Sequence, residues 1–411
     1  MDGLSALEGI RVIETASAVA GPLAGRLLGD LGADVIHVEH PARGHLTRAQ
    51  RHMIGNRLQG GRQIESDIDY MTENTNCNKR GMALDLSTKG GLEILRRMLE
   101  SADVFLTNFR PRELEKFDLE YTTLSRLNPR LIMASLTGYG KNGPDKDLPG
   151  YDFNVFWARS GILHVLQKRG DIPISTPVGL GDRVTALAFA YGIAAALLAR
   201  ERTGLGQEVD MSLLQAAIFV NATDVGGALA TGLDRQNVDR ECLANALLNS
   251  YQTRDGRWLR IALNQPDRYW SRVCRAIERE DLEHDRRFNS FLPRLENHHA
   301  LFEVLEEAFL SRTLDEWRVR LDEAGLPWAP ILSLPEVIGD PQVRANDCFA
   351  ALDHPTYGTI EIVANPVKLS RTPAAARMPA PQYGQHTEEI LLEYNYTQED
   401  VAQFREQGVI A

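Results

Sequence analysis

Gly9-Ile10-Arg11-Val12-Ile13-Glu14, Ala20-Gly21-Pro22, the run from Leu23 to Leu31, and Gly32-Ala33-Asp34-Val35-Ile36-His37-Val38-Glu39 follow one another near the start of the chain. They read as strand, turn, helix and strand. Ile10, Val12 and Ile13 suit a buried parallel strand, Pro22 suits a first helical turn, and Gly32 stands where a helix end needs a residue free to turn left-handed. A second strand ending on an acid invites a dinucleotide site with Glu39 on a ribose. The turn, however, holds only Gly21 and Gly25 and no G-x-G-x-x-G, which argues against a nicotinamide enzyme.

Outward from this unit the alternation continues. Met82-Ala83-Leu84-Asp85-Leu86 reads as a strand, and residues 90–101 read as a helix with Leu92, Leu95, Met98 and Leu99 on one face. Asp103-Val104-Phe105-Leu106 and Leu131-Ile132-Met133-Ala134-Ser135-Leu136 read as further strands. Strands alternating with helices predict an α/β, Rossmann-like large domain with a largely parallel sheet. Ligands of such sheets sit at the carboxyl ends of strands, so residues 18–21, 39–41, 108–110 and 138–140 are the first suspects. Past residue 221 the pattern changes to a hairpin about Asp255-Gly256 and amphipathic helices over 300–310 and 314–324, a smaller α+β domain. The tail returns to short strands and a helix over 388–394. The resulting partition is 1–222, 223–330 and 331–411.

The chain has 411 residues, 43% hydrophobic and 25% charged, enough to bury a sizeable core in more than one domain. A net charge of −11 argues against nucleic acid or an anionic membrane as partner, since both call for a basic face. The four cysteines, Cys77, Cys242, Cys274 and Cys348, lack C-x-x-C spacing and fit a reducing cytoplasm. The first residues lack a basic start followed by an apolar core, so no secretory signal is expected. The apolar run over 186–199, shorter than a membrane span, reads as a buried helix.

Just before that run, Val178-Gly179-Leu180-Gly181-Asp182 places one carboxylate between a glycine-bracketed turn and the start of a helix. There it meets the positive end of the helix dipole, which favours an ionised carboxylate fit to act as nucleophile or base. Asp is also a common helix cap, and the stretch alone leaves both readings open.

An ordered set of segments resembles the class III CoA-transferase family. They are Leu7-Glu8-Gly9-Ile10-Arg11-Val12, Ala20-Gly21-Pro22, Leu31 to Glu39, Asn78-Lys79-Arg80, Ala102 to Pro111, Leu127 to Ile132, Gly138-Tyr139-Gly140-Lys141-Asn142-Gly143-Pro144 and Arg202-Thr203-Gly204-Leu205-Gly206-Gln207. The likeness runs from about Leu7 to Gly384-Gln385-His386-Thr387-Glu388. It implies transfer of CoA from an acyl-CoA to a free carboxylic acid, with Asp182 as nucleophile through an aspartyl anhydride and an aspartyl-CoA thioester. It implies no tightly bound cofactor, with CoA and acyl-CoA as substrates. It also implies an interlocked homodimer in which the tail completes the large domain.

By the same resemblance, Ala18, Val19 and Ala20 approach CoA, with His40, Leu84, Asp85, Leu86, Ser87, Asn108, Phe109, Arg110 and Lys116 completing its site. Some relatives hold an Arg where this chain has His40, so the phosphates are expected to fall to Arg43, Lys79, Arg80, Arg110 or Lys116. The related α-methylacyl-CoA racemases carry Gly-His-Asp where this chain has Gly150-Tyr151-Asp152. Tyrosine is a poor base near neutral pH, which favours transfer over racemisation and leaves Asp152 to touch substrate or to orient the Asp182 loop.

The resemblance also implies a glycine-run lid in the second domain, as in formyl-CoA transferase, but no glycine run longer than Gly226-Gly227 occurs there, so the 249–264 hairpin or the 243–248 approach is expected to cover the site instead. Bulky Phe156 and Trp157 suggest an acid larger than formate, or ordinary core. Arg159 would pair a second substrate carboxylate or an internal acid. His298-His299 lacks further ligands at metal spacing, so no metal site is expected. Residues 43–62 read as a solvated loop or a flap.

Overall fold

A computed structural model of the chain describes residues 5–42, 44, 48 and 68–411. Two compact units emerge: the described residues up to 163, with 174–233 and 345–411, form the first, and 164–173 with 234–344 the second. The cuts fall at 233/234 and 344/345, and not at 222/223 and 330/331 as the sequence pattern suggests. Helix Ala222–Thr231 belongs with the first unit, and the segment 331–344, with its short helix Leu334–Gly339, belongs with the second.

The first unit is built on six strands: β1 (Arg11–Glu14), β2 (Asp34–Glu39), β3 (Lys79–Ala83), β4 (Val104–Thr107), β5 (Ile132–Thr137) and β6 (Glu208–Ser212). All pair in parallel in the order β3-β2-β1-β4-β5-β6. Adjacent residues face opposite sides. Val12, Val104, Leu106, Ile132 and Ala134 join one core, beneath α1 (Ala20–Asp30) and the long helix Leu180–Thr203. Ile13, Phe105 and Met133 join the other, with helix Lys89–Leu99 and the tail helices Thr387–Glu393 and Gln398–Glu406. The strand order reverses between β1 and β4, so their carboxyl ends frame the crevice that such sheets use for ligands.

Gly21 and Gly25, the two glycines of the first turn region, serve packing. A Cβ on Gly21 would lie 2.4 Å from Ala16 Cβ, and one on Gly25 only 1.8 Å from Glu14 Oε2. α1 therefore settles directly onto β1 and leaves a pocket for the Glu14 carboxylate.

The long helix corrects one expectation. Phe189, Ile193, Ala196 and Leu197 are buried, and Arg200 at its far end pairs with Asp103 at 2.8 Å. Its opposite face is left open by the described residues: Tyr191 is 76% exposed, and beyond it Phe219 is 81% and Leu229 84% exposed. At 24 residues with a mean hydropathy of 1.4 over its most apolar window, it could cross a membrane by length and composition, as the shorter run read from sequence could not.

Hairpin β10–β11 (Phe349–His354 and Gly358–Val363) forms a two-stranded sheet among the described residues and shares a small core with Cys77. The second unit packs Trp270, Trp317, Phe288, Phe309 and Tyr251 around the sheet β7-β8-β9 (Leu248–Gln252, Trp258–Ala262, Trp328–Pro330). Its Asp255-Gly256 turn has Gly256 at φ +76°, as the sequence predicts.

Candidate active site

A cavity of about 500 Å³ opens where β1 and β4 part. Ser17, Ala18, Ala20 and Gly21 line it from the first βα turn, Asn108, Phe109, Arg110 and Glu113 from the end of β4, Thr137 and Gly138 from β5, and Gly150 and Tyr151 from the next loop. Asp182 stands among them. Ala18 holds φ +67°, a conformation that costs a non-glycine residue and is common at functional turns. Asn108 clamps the turn, accepting from Ser17 N–H at 3.1 Å and donating to Ser17 C=O at 3.0 Å.

The Asp182 loop is built around glycine for a physical reason. Gly179, at φ +64°, begins the long helix without a side-chain cap, and Arg183 Nη1 ties the turn by donating to the Gly179 and Val178 carbonyls. A Cβ on Gly181 would sit 2.2 Å from Phe156 Cγ and 2.3 Å from Asp152 Oδ1. Gly181→Ala is therefore expected to lower stability by about 1–3 kcal/mol and to shift Asp182 out of place. Wild-type melting temperature and turnover in that variant would contradict this packing.

Asp182 is half-buried, in the first turn of its helix. Burial first, and then the negative charge of Asp152, push its carboxyl up to about 7, against the pull of Arg183. The helix dipole, which by sequence would keep this group ionised, is overcome. Asp152 itself is 3% exposed, lies in a π-helical turn, Asp152–Arg159, and does not line the cavity. Burial raises its carboxyl too, while the Trp157 indole and the N–H groups of Gly179, Asp182 and Gly181 draw it back, although neither oxygen reaches standard hydrogen-bond geometry.

The other residues expected from sequence divide into two groups. Ala18, Ala20, Asn108, Phe109 and Arg110 line the cavity with Asp182, while Val19 is buried behind the turn. His40, Asp85 and Ser87 gather instead at the ends of β2 and β3: His40 Nε2 is 3.8 Å from Asp85 Oδ1, which accepts from Ser87 Oγ at 2.6 Å. Leu84, beside them, is buried, and Leu86 packs against the second core. Lys116 is exposed, its Nζ 5.4 Å from the Phe117 ring.

Two of the phosphate candidates are spent on other partners. Lys79 is 1% exposed and commits its Nζ to Glu14 Oε1 (2.9 Å), Pro22 C=O (2.6 Å) and Asn76 Oδ1 (2.8 Å), and Arg80 binds Asp34, Glu389 and Glu393. Arg110 pairs with Glu113 at 2.8 Å, a contact the Pro111 and Glu113 spacing of a helix start could have disclosed. Arg159 pairs with an internal acid, Asp145, at 2.8 Å.

Arg43 and most of 43–62 lie outside the described residues. Arg48, within them, pairs with Glu39 at 2.7 Å, which occupies the acid suggested for a ribose. His298 and His299 stack at 4.2 Å, and no group of three metal-ligating side chains occurs among the described residues. Nothing in the sequence announces that Gly138 and Gly150 touch: a Cβ on either would meet the other's Cα at 2.7 or 2.6 Å.

The sequence model of CoA-transferase family III matches residues 7–387. The chain belongs to that family. This family III CoA-transferase is 34% identical over 407 residues to the (R)-2-hydroxy-4-methylpentanoate CoA-transferase of Clostridioides difficile, a match covering 98% of this chain and 99% of the relative. It is 32% identical over 397 residues to the cinnamoyl-CoA:phenyllactate CoA-transferase of Clostridium sporogenes, covering 96% and 94%. A CaiB/BaiF family protein of known structure from Brucella suis superposes with a TM-score of 0.79 at 29% identity, over 95% of this chain and all of that one.

Proposed function

We propose that this CoA-transferase passes CoA from an acyl-CoA to a free monocarboxylic acid, with Asp182 as the covalent carrier. One observation carries the reading: a half-buried carboxylate lines the cavity at the sheet's switch point, beside an uncapped helix start. In the first step an Asp182 oxygen attacks the thioester carbonyl, forming a mixed anhydride and releasing CoA as thiolate. The thiolate then attacks the Asp182 carbonyl carbon, forming the aspartyl-CoA thioester and releasing the donor acid. The incoming carboxylate attacks that thioester to give a new anhydride, and the freed thiolate takes the new acyl group and restores Asp182.

The N–H groups of the Asp182 turn face Asp152, so they are poorly placed for the tetrahedral oxyanions. The start of α1 can receive those oxyanions instead, because Val19 caps it with no side-chain bond and Ala20 and Gly21 line the cavity. CoA would extend from this turn along Asn108, Phe109 and Arg110, reaching toward the His40, Asp85 and Ser87 group on the neighbouring strand ends, with Lys116 outside. Acceptors with one carboxylate fit best, because Arg110, the cation lining the cavity among the described residues, is already neutralised by Glu113 and Arg159 is held by Asp145. The two relatives named for hydroxy- or phenyl-substituted acids support the same class.

The uncovered apolar strip of Tyr191, Phe219 and Leu229 supports a homodimer, and the acidic charge and four unpaired cysteines support a cytoplasmic protein.

Incubation with an acyl-CoA followed by hydroxylamine and peptide mass analysis is expected to trap Asp182 as its hydroxamate. Exchange of the α-proton without trapping would instead indicate a racemase. In an acceptor panel, branched or aryl 2-hydroxy monoacids are expected to exceed succinate and glutarate by about tenfold or more in kcat/KM, the loss for one unpaired buried charge. Preference for the diacids would overturn the substrate class.

A further inference from the structure

Behind the Asp182 turn lies a second acid that the proposed chemistry does not touch. Asp152 is almost wholly buried, outside the cavity, with its Oδ1 2.3 Å from where a Gly181 Cβ would stand. The Trp157 indole and the N–H groups of Gly179, Asp182 and Gly181 all face it and draw its carboxyl back toward the ionised form, against the burial that raises it. Gly179 itself offers no side-chain cap, so the Asp152 carboxyl is the acid that faces the open start of the helix from outside it.

We propose that Asp152 is a positioning residue that holds the nucleophile turn from behind, its carboxyl packed against Gly181, the residue next to the nucleophile. This rests on reading Asp182 as the nucleophile. A carboxylate that ionises reluctantly is also a stronger nucleophile once ionised, which suits attack on a thioester. The two acids are coupled: burial first, and then the neighbouring Asp152, push the Asp182 carboxyl up to about 7.

Among the described residues, the remaining charges about Asp182 are few. Arg183, on its own helix, opposes Asp152, and Tyr70 faces Arg183. Arg110 and Glu113, paired with one another, line the cavity with Tyr151, while residues 17–21 and the end of β5 add no charge.

The test is the pH profile of kcat/KM, paired with carbodiimide labelling of Asp182 read by peptide mass, which needs no turnover. Wild type is expected to lose activity below about pH 7. Asp152→Asn should move that limb and the labelling profile down by about one pH unit, and Arg183→Gln should move both up. If Asp152→Asn does not accumulate, Asp152→Ser is read in the same way. Profiles that stay put, or that move the same way in both kinds of variant, would overturn the proposal. A labelling shift that kcat/KM does not follow would instead retain the pairing and refute Asp182 as nucleophile.

Discussion

Asp182→Asn is expected to lower CoA transfer by on the order of a thousandfold or more, and to raise the melting temperature at pH 8. The loss follows from replacing the carboxylate through which every proposed covalent step passes; nucleophile deletions in other covalent enzymes are of this size or larger. The gain follows from the same environment. Asp182 titrates near 7 in the folded protein against an ordinary 3.8, so the fold prefers its protonated form. That contribution to stability is complete below about pH 4 and is lost as pH rises through 7. At pH 8 the native state therefore carries a charge it disfavours, and the neutral amide relieves it. A shift of this size corresponds to about 4 kcal/mol at most; solvent contact of a half-buried group reduces this to about 1–3 kcal/mol. Melting curves of the two proteins should separate at pH 8 and converge near pH 4. Equal stability at pH 8 would contradict the electrostatics described here, and retained transfer would contradict the chemistry.

Lys79→Met is the second large effect, and it should act on folding rather than on binding. Lys79 is enclosed with Glu14, and Glu14 Oε1 also lies 2.5 Å from His37 Nδ1. Removing the ammonium leaves a buried carboxylate without its cation, a change that costs about 3–5 kcal/mol in comparable cores. His37 makes the loss depend on pH. Burial, and then Lys79, hold its imidazole down to about 3; without Lys79 it gains the freedom to protonate beside Glu14. The variant should melt several degrees lower than wild type at pH 8 and by a smaller margin at pH 5.5. The KM for acyl-CoA should change little in the folded fraction. A raised KM with normal stability would restore Lys79 as a phosphate ligand.

The first sheet unit is readable from local pattern alone, because apolar alternation and turn residues specify β1, α1 and β2 without help from distant parts of the chain. Asp182 is readable as a candidate because Gly179 and Gly181 bracket it. What those glycines do there is not: Gly181 is required by Phe156 and Asp152, which lie well upstream of it. Lys79 looks like one more solvated cation, since nothing beside it in sequence announces that Glu14, Pro22 and Asn76 will enclose it. β6 escapes the pattern because Glu208 and Asp210 interrupt its apolar run. The π-helical turn carries no distinctive composition. The long helix reads as buried because apolarity alone does not say which molecule will cover each face.

The touching peptides of Gly138 and Gly150 bear on any effort to retarget the enzyme. That wall consists of backbone against backbone and cannot be enlarged or trimmed by choosing other side chains. Tyr151 and Leu148, which line the same space yet reach solvent, can be exchanged freely, so a small library at these two sites is where a new acid should first be sought.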